Sequence, residues 1–144
     1  YFQWSNIGQL VAITGAENLR ALDWSPVTLL LLFVLFTVTL DLLIGSASAK
    51  WALMAPVFIP MFFLAGIPAE GTLAAYRVGD SVANIITPLM PYFAMVVAFA
   101  QRFEPKAGIG TLMAMMLPYS LMLLIGWGGL LALWLSMGWP LGPS

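Results

Sequence analysis

The stretch "RVGDSVANIITPLMP", residues 77–91, sets an arginine, an aspartate and two prolines into a chain that is otherwise almost wholly apolar. Arg77 and Asp80 are three residues apart, so on a helix they share a face. Pro88 and Pro91 carry no backbone N–H, and with Asn84 and Thr87 they disrupt the helical ladder. Each charge costs roughly 2.5–3.5 kcal/mol at a bilayer centre if it faces lipid. Unwound backbone at that depth is tolerated only inside protein or beside a water-filled cavity. Broken helices of this kind build ligand and ion sites near the midplane of secondary transporters. Two readings follow. In one, Arg77 and Asp80 neutralise each other and fix helix packing. In the other, Arg77 holds an anionic ligand group, Asp80 titrates or pairs, and the broken backbone supplies carbonyls and helix ends.

The rest of the sequence agrees with a bilayer setting. The 144 residues are 62% hydrophobic and 8% charged, against roughly 25% charged in a soluble domain. Five basic and six acidic side chains cannot coat a soluble globule of this size. The composition predicts an all-α integral membrane protein. A net charge of −1 gives no argument for a nucleic-acid partner. Without Cys there is no disulfide or thiol nucleophile, and without His the commonest zinc ligand is missing. No metal site or other cofactor is expected. The chain opens at Tyr1, with neither a methionine nor a charged leader, and reads as the C-terminal part of a longer polypeptide.

Residues 1–16 read as the end of a helix, and residues 17–26, polar and closed by Pro26, as a connection. Residues 27–67 contain two apolar runs divided by "GSASAKW", residues 45–51. Each run is shorter than the ~20 apolar residues of a spanning helix. They are either two ordinary spans with an outer loop or a re-entrant hairpin whose tip stops at mid-membrane. Small residues at the tip allow close backbone approach, and Ser46 and Ser48 offer hydroxyls. Residues 72–100 read as the broken helix, and residues 109–137 as the last transmembrane helix, kinked at Pro118. Gly126, Gly128 and Gly129 permit close helix approach there. Arg102 and Lys106 put the loop at residues 101–108 on the cytoplasmic side by the positive-inside rule.

Asp41, in "TVTLDLLIG", is an intramembrane carboxylate and hence a functional candidate. Its structural alternatives are capping, snorkelling or pairing with Lys50. Ser46 or Ser48 with Lys50 also has the make-up of a Ser–Lys hydrolase dyad, though small-residue tips produce such spacing by chance. A channel or purely structural subunit is a third reading.

Three stretches, "IGSASAKWALMAPVFIPMF" (44–62), "AAYRVGDSVANIITPLMPYF" (74–93) and "KAGIGTLMAMMLPYS" (106–120), strongly resemble the C-terminal half of the AbgT family, the p-aminobenzoyl-glutamate transporters. The resemblance implies an ion-transporter-superfamily fold with nine spanning helices and two re-entrant hairpins, built as inverted repeats and forming homodimers in the bacterial inner membrane. This chain would then hold the second hairpin, the second broken helix and the last helix, which favours the hairpin over two ordinary spans. The family is linked to uptake of p-aminobenzoyl-glutamate, and some members to proton-driven export of sulfonamide antimetabolites. The resemblance implies a secondary transporter and no enzyme. Its partners would be a small aromatic amide and the lipid bilayer, with H⁺ as coupling ion and Na⁺ the alternative. By matched motif, the site draws on Ser46, Ser48, Lys50 and Trp51 of the hairpin tip and on Arg77, Asp80, Asn84 and Pro88 of the broken helix. Trp51 can stack on an aminobenzoyl ring, and Arg77 can meet a carboxylate or sulfonyl group. Asp41 departs from the family, which usually has Asn just before the tip; an extra acid there bears on the coupling ion and its stoichiometry.

Overall fold

The computed structural model describes residues 7–141 and is all-helical over them. Its helices are α1 (Ile7–Ala21), α2 (Pro26–Asp41), α3 (Ala47–Leu64), α4 (Ala69–Ala83), α5 (Phe93–Ala100) and α6 (Ile109–Ser136). The first six residues of the expected opening helix lie outside the described part. Two helices, α3 and α6, are long and apolar enough to cross a membrane, and α2 is a shorter apolar helix.

Local chemistry sets the boundaries. The Ser25 hydroxyl accepts from Thr28 N–H at 3.2 Å, and Pro26 occupies the first turn of α2. Along α2, the Thr37 and Thr39 hydroxyls donate to the Phe33 and Leu35 carbonyls, which satisfies them within an apolar helix. Ser46 caps α3 by accepting from Ala49 N–H at 3.3 Å. Helix α3 stays continuous through Pro56 and Pro60. It ends at Gly66, whose φ of 88° is the left-handed conformation a glycine enters without steric cost. There Ile67 N–H reaches back to the Phe62 carbonyl, closing a Schellman-type cap.

Several boundaries differ from the sequence reading: α3 begins at Ala47, inside the dividing stretch 45–51, and α4 at Ala69, ahead of residue 72. The polar stretch at residues 17–26 is helical as far as Ala21. Glu17, Asn18 and Arg20 lie on exposed positions, and the Arg20 guanidinium donates to the Leu64 carbonyl at the end of α3. That contact ties down the last turn of α1 and places a cation at a helix C-terminus, where the dipole favours it. The chain reverses only at Asp23, with φ 49°.

Helix α2 packs along α4, α1 along α3, and α6 closes against α4 and α2. The arms α2 and α3 touch mainly through aromatic rings. Phe33 meets Phe58 and Phe62 at centroid distances of 4.8 and 5.1 Å. The core beneath them gathers Leu30, Val34, Met54, Ala75, Tyr76 and Leu131. Helices α2 and α4 cross backbone to backbone at Gly79: a Cβ there would lie 2.8 Å from the Val34 carbonyl oxygen. Much large apolar surface faces outward, with Ile125 75% and Met122 76% exposed. That outer face is apolar, as a surface facing lipid is.

After Ala83 the chain leaves the helix and turns through residues 84–92 before α5 begins. Ile86 and Thr87 N–H groups both bond to the Ala83 carbonyl, closing a tight turn, and Pro88 and Pro91 keep the ladder from restarting. The linker between α2 and α3 lies against this break. A Cβ on Gly45 would sit 2.9 Å from the Leu89 carbonyl oxygen, so only glycine allows that approach.

Candidate functional site

Lys50, in the first turn of α3, has a fully buried side chain whose ammonium contacts two carboxylates. Its Nζ lies 2.8 Å from Asp80 Oδ1 on α4 and pairs also with Asp41, the last residue of α2. Asp41 and Lys50 are 0% exposed, and Asp80 5%. A lone buried lysine would be strongly unfavourable, and the two acids offset that desolvation. Three helices thus meet at one ammonium. Asp80 is the better-bonded acid: its Oδ2 also accepts from Asn84 Nδ2 at 3.4 Å. Asp41 Oδ2 is buried with no hydrogen-bond partner among the described residues.

Around the ion cluster, hydroxyls fix the broken backbone. Thr87 Oγ1 donates to the Asp41 carbonyl at 3.1 Å, tying the break in α4 to the end of α2. Tyr76 Oη donates to the Ala47 carbonyl at 2.5 Å, tying α4 to the start of α3. Ser120 Oγ on α6 donates to the Val82 carbonyl at 3.0 Å. The Tyr76 ring also lies 5.9 Å below the Lys50 ammonium, within cation–π range. An open depression of about 330 Å³ lies beside the cluster, lined by Arg77, Val78, Asp80, Ser81, Asn84 and Trp127. Asp80 belongs both to the wall of this cavity and to the ion cluster. A separate groove of about 310 Å³ between α2 and α6 is lined only by aliphatic and glycine residues, among them Leu31, Leu124 and Gly128.

The residues singled out in the sequence divide into groups. Asp41, Lys50, Asp80 and Asn84 converge on the ion cluster. Arg77 shares the cavity with Asp80 and makes no ion pair among the described residues. The self-neutralising Arg77–Asp80 pair is therefore not formed: Lys50 takes that carboxylate from the opposite helix, and Arg77 stays exposed. Trp51 is half-buried and lies against Tyr76, ring centroids 4.6 Å apart. Ser46 serves as a helix cap, Ser48 is exposed, and Pro88 lies in the turn after α4. A Ser–Lys dyad does not fit this geometry, because the Lys50 ammonium is held by two acids and Ser46 Oγ by Ala49 N–H. Tyr76, Ser120 and Trp127 escaped the sequence reading. Tyr76 and Ser120 stood within the quoted motifs, and Thr87 was read only as part of the break, because nothing in spacing shows which carbonyl a hydroxyl will reach.

Apolar helices of near-spanning length and charges sequestered at a helix break are features expected of a membrane transporter. The sequence matches the family described as "AbgT putative transporter family" over residues 1–144, and the chain belongs to that family. That family is one of putative transporters. The p-aminobenzoyl-glutamate transport protein of Escherichia coli (strain K12) is 33% identical over 143 residues, covering 99% of this chain and 28% of that protein. The YdaH transporter of Alcanivorax borkumensis matches with TM-score 0.91 and 60% identity, over 99% of this chain and 30% of that one. Neisseria gonorrhoeae MtrF, which illuminates a class of antimetabolite efflux pumps, matches with TM-score 0.81 and 48% identity, over 92% of this chain and 26% of that one. The chain spans less than a third of the length of each of these relatives.

Proposed function

We propose that the whole protein is a proton-coupled secondary transporter that moves p-aminobenzoyl-glutamate or a related aromatic amide across the bacterial inner membrane, as a homodimer. The observation that carries this reading is the double position of Asp80, at once wall of the open 330 Å³ depression and partner of the buried Lys50. A change in protonation at Asp80 alters both the charge of the cavity and the contact that holds α4 to α3. That is the physical link a coupled transporter needs between ion and substrate. Arg77 supplies the cavity with a cation for a substrate carboxylate, in the planar geometry suited to it. Trp127 offers an aromatic wall.

In this reading, α2 and α3 form the re-entrant hairpin. At 16 residues, α2 reaches only about 24 Å, short of the ~30 Å hydrocarbon core. Residues 42–46 are then its tip, resting on the break in α4 near mid-membrane. Rocking of hairpin and broken helix against the rest of the transporter alternates access.

A second reading, proton-driven efflux of sulfonamide antimetabolites, is favoured by the likeness to MtrF. The same cavity serves it, with Arg77 facing a sulfonyl oxygen. Flux of labelled p-aminobenzoyl-glutamate and of a labelled sulfonamide, measured in parallel with the full-length protein in proteoliposomes, separates the two. Saturable flux of the first supports the amide reading; saturable flux of the sulfonamide alone replaces it with the second. Flux of neither by folded protein contradicts both.

A further inference from the structure

Among the described residues the ion cluster does not balance. Asp41 and Asp80 bring two carboxylates to one ammonium, and all three side chains are more than nine-tenths buried. The groups facing them from the described helices do not correct the count. On α4, Tyr76 offers a neutral ring to Lys50, Asn84 a neutral amide to Asp80, and Arg77 is exposed on the cavity side. On α6, the hydroxyl of Ser120 is spent on the Val82 carbonyl. A buried net charge of −1 is costly, and such a site takes up a cation or a proton instead. The two acids differ in readiness. Both Asp80 oxygens accept hydrogen bonds, from Lys50 and Asn84, whereas Asp41 Oδ2 accepts none among the described residues.

We infer that the cluster carries one proton, held on Asp41 in this conformation, and that Asp41 and Asp80 exchange it around Lys50 as a tethered counter-ion. A proton taken from water forms an O–H bond on Asp41 and leaves Asp80 paired with the ammonium. Moving that proton to Asp80 leaves Asp41 paired instead. The cluster is neutral in both forms, so a proton crosses it without exposing a net buried charge. Lys50 is here a positioning residue, and Asp41 a second proton-binding carboxylate beside Asp80. This rests on the proposed transport function only for what the relay is used for.

The test is difference infrared spectroscopy of the full-length protein in lipid at neutral pH, with ¹³C-aspartate labelling to assign the carboxyl bands. The wild type is expected to show a protonated aspartate band that is lost in Asp41→Asn and in Asp80→Asn, since each leaves one acid for one ammonium. Lys50→Met is expected to gain a second such band. The asparagine variants are close isosteres, and they decide the matter even if Lys50→Met fails to fold. An unchanged band in folded Asp41→Asn overturns the relay. Gradient-driven flux is read on the same wild-type preparation. An aspartate band that follows this pattern without flux keeps the relay and removes the proposed transport function; normal coupled flux with no band sensitive to Asp41 removes the relay alone.

Discussion

Lys50 Nζ lies 2.8 Å from Asp80 Oδ1, and the same ammonium pairs with Asp41, so one buried side chain of α3 joins the ends of α2 and α4. The arrangement fixes three helices at the place where the backbone is broken, and in the proposed function a proton taken up there alters the cavity alongside.

Removal of the ammonium by Lys50→Met leaves two acids buried together. Breaking a buried ion pair on one side costs about 3–5 kcal/mol. Thermal unfolding of the purified full-length variant in detergent should show a clearly lowered transition. A transition unchanged from wild type would mean that Lys50 holds nothing together.

At Gly79, an added side chain meets Thr37 Cβ at 2.7 Å and the Val34 carbonyl oxygen at 2.8 Å, and backbone cannot yield as a side chain can. Gly79→Val should force α2 from α4 and cost about 1–3 kcal/mol, as overpacking does. Gly110, with open space around its Cβ position, is the matched control. Equal stability of Gly79→Val and Gly110→Val would refute the close crossing.

Tyr76→Phe removes one hydroxyl and its bond to the Ala47 carbonyl, which keeps its place in the backbone ladder of α3. The loss should be about 0.5–1.5 kcal/mol, the net worth of one hydrogen bond. The ring remains beside Trp51, so tryptophan fluorescence should change little. A large spectral change with unaltered stability would place the role of Tyr76 in its ring rather than its hydroxyl.

The fold was legible in the sequence where composition alone decides it. Apolar runs, prolines and small-residue turns point to the helices and to the break after Ala83. The end of α1 was not legible, because Glu17 to Arg20 look like a loop until Arg20 finds a carbonyl of a helix 44 residues away. The ion cluster was half legible. Pairing of Asp41 with Lys50 lay within reach, being local across one turn, whereas Asp80 had a nearer cation in Arg77. That local partner lost because α4 turns Asp80 toward α3 while Arg77 faces outward. Which of two cations an acid meets depends on helix rotation, and a stretch of fifteen residues does not carry it.

Arg77→Lys keeps the charge but loses the fork that grips a carboxylate in two places. For the full-length transporter, the proposed function predicts a rise in KM for p-aminobenzoyl-glutamate of roughly tenfold or more, the worth of one charge-assisted hydrogen bond. The maximal flux should change less. An unchanged KM would remove Arg77 from substrate binding.

The most direct measurement of the central claim is uptake of labelled p-aminobenzoyl-glutamate by full-length protein in proteoliposomes, for wild type and Asp80→Asn, with and without an imposed pH gradient. The wild type should give saturable flux that responds to the gradient. Asp80→Asn should lose that response while still folding, since Lys50 keeps Asp41 as a partner. Gradient-driven flux at the wild-type level in Asp80→Asn would contradict the link between ion cluster and cavity on which the account depends.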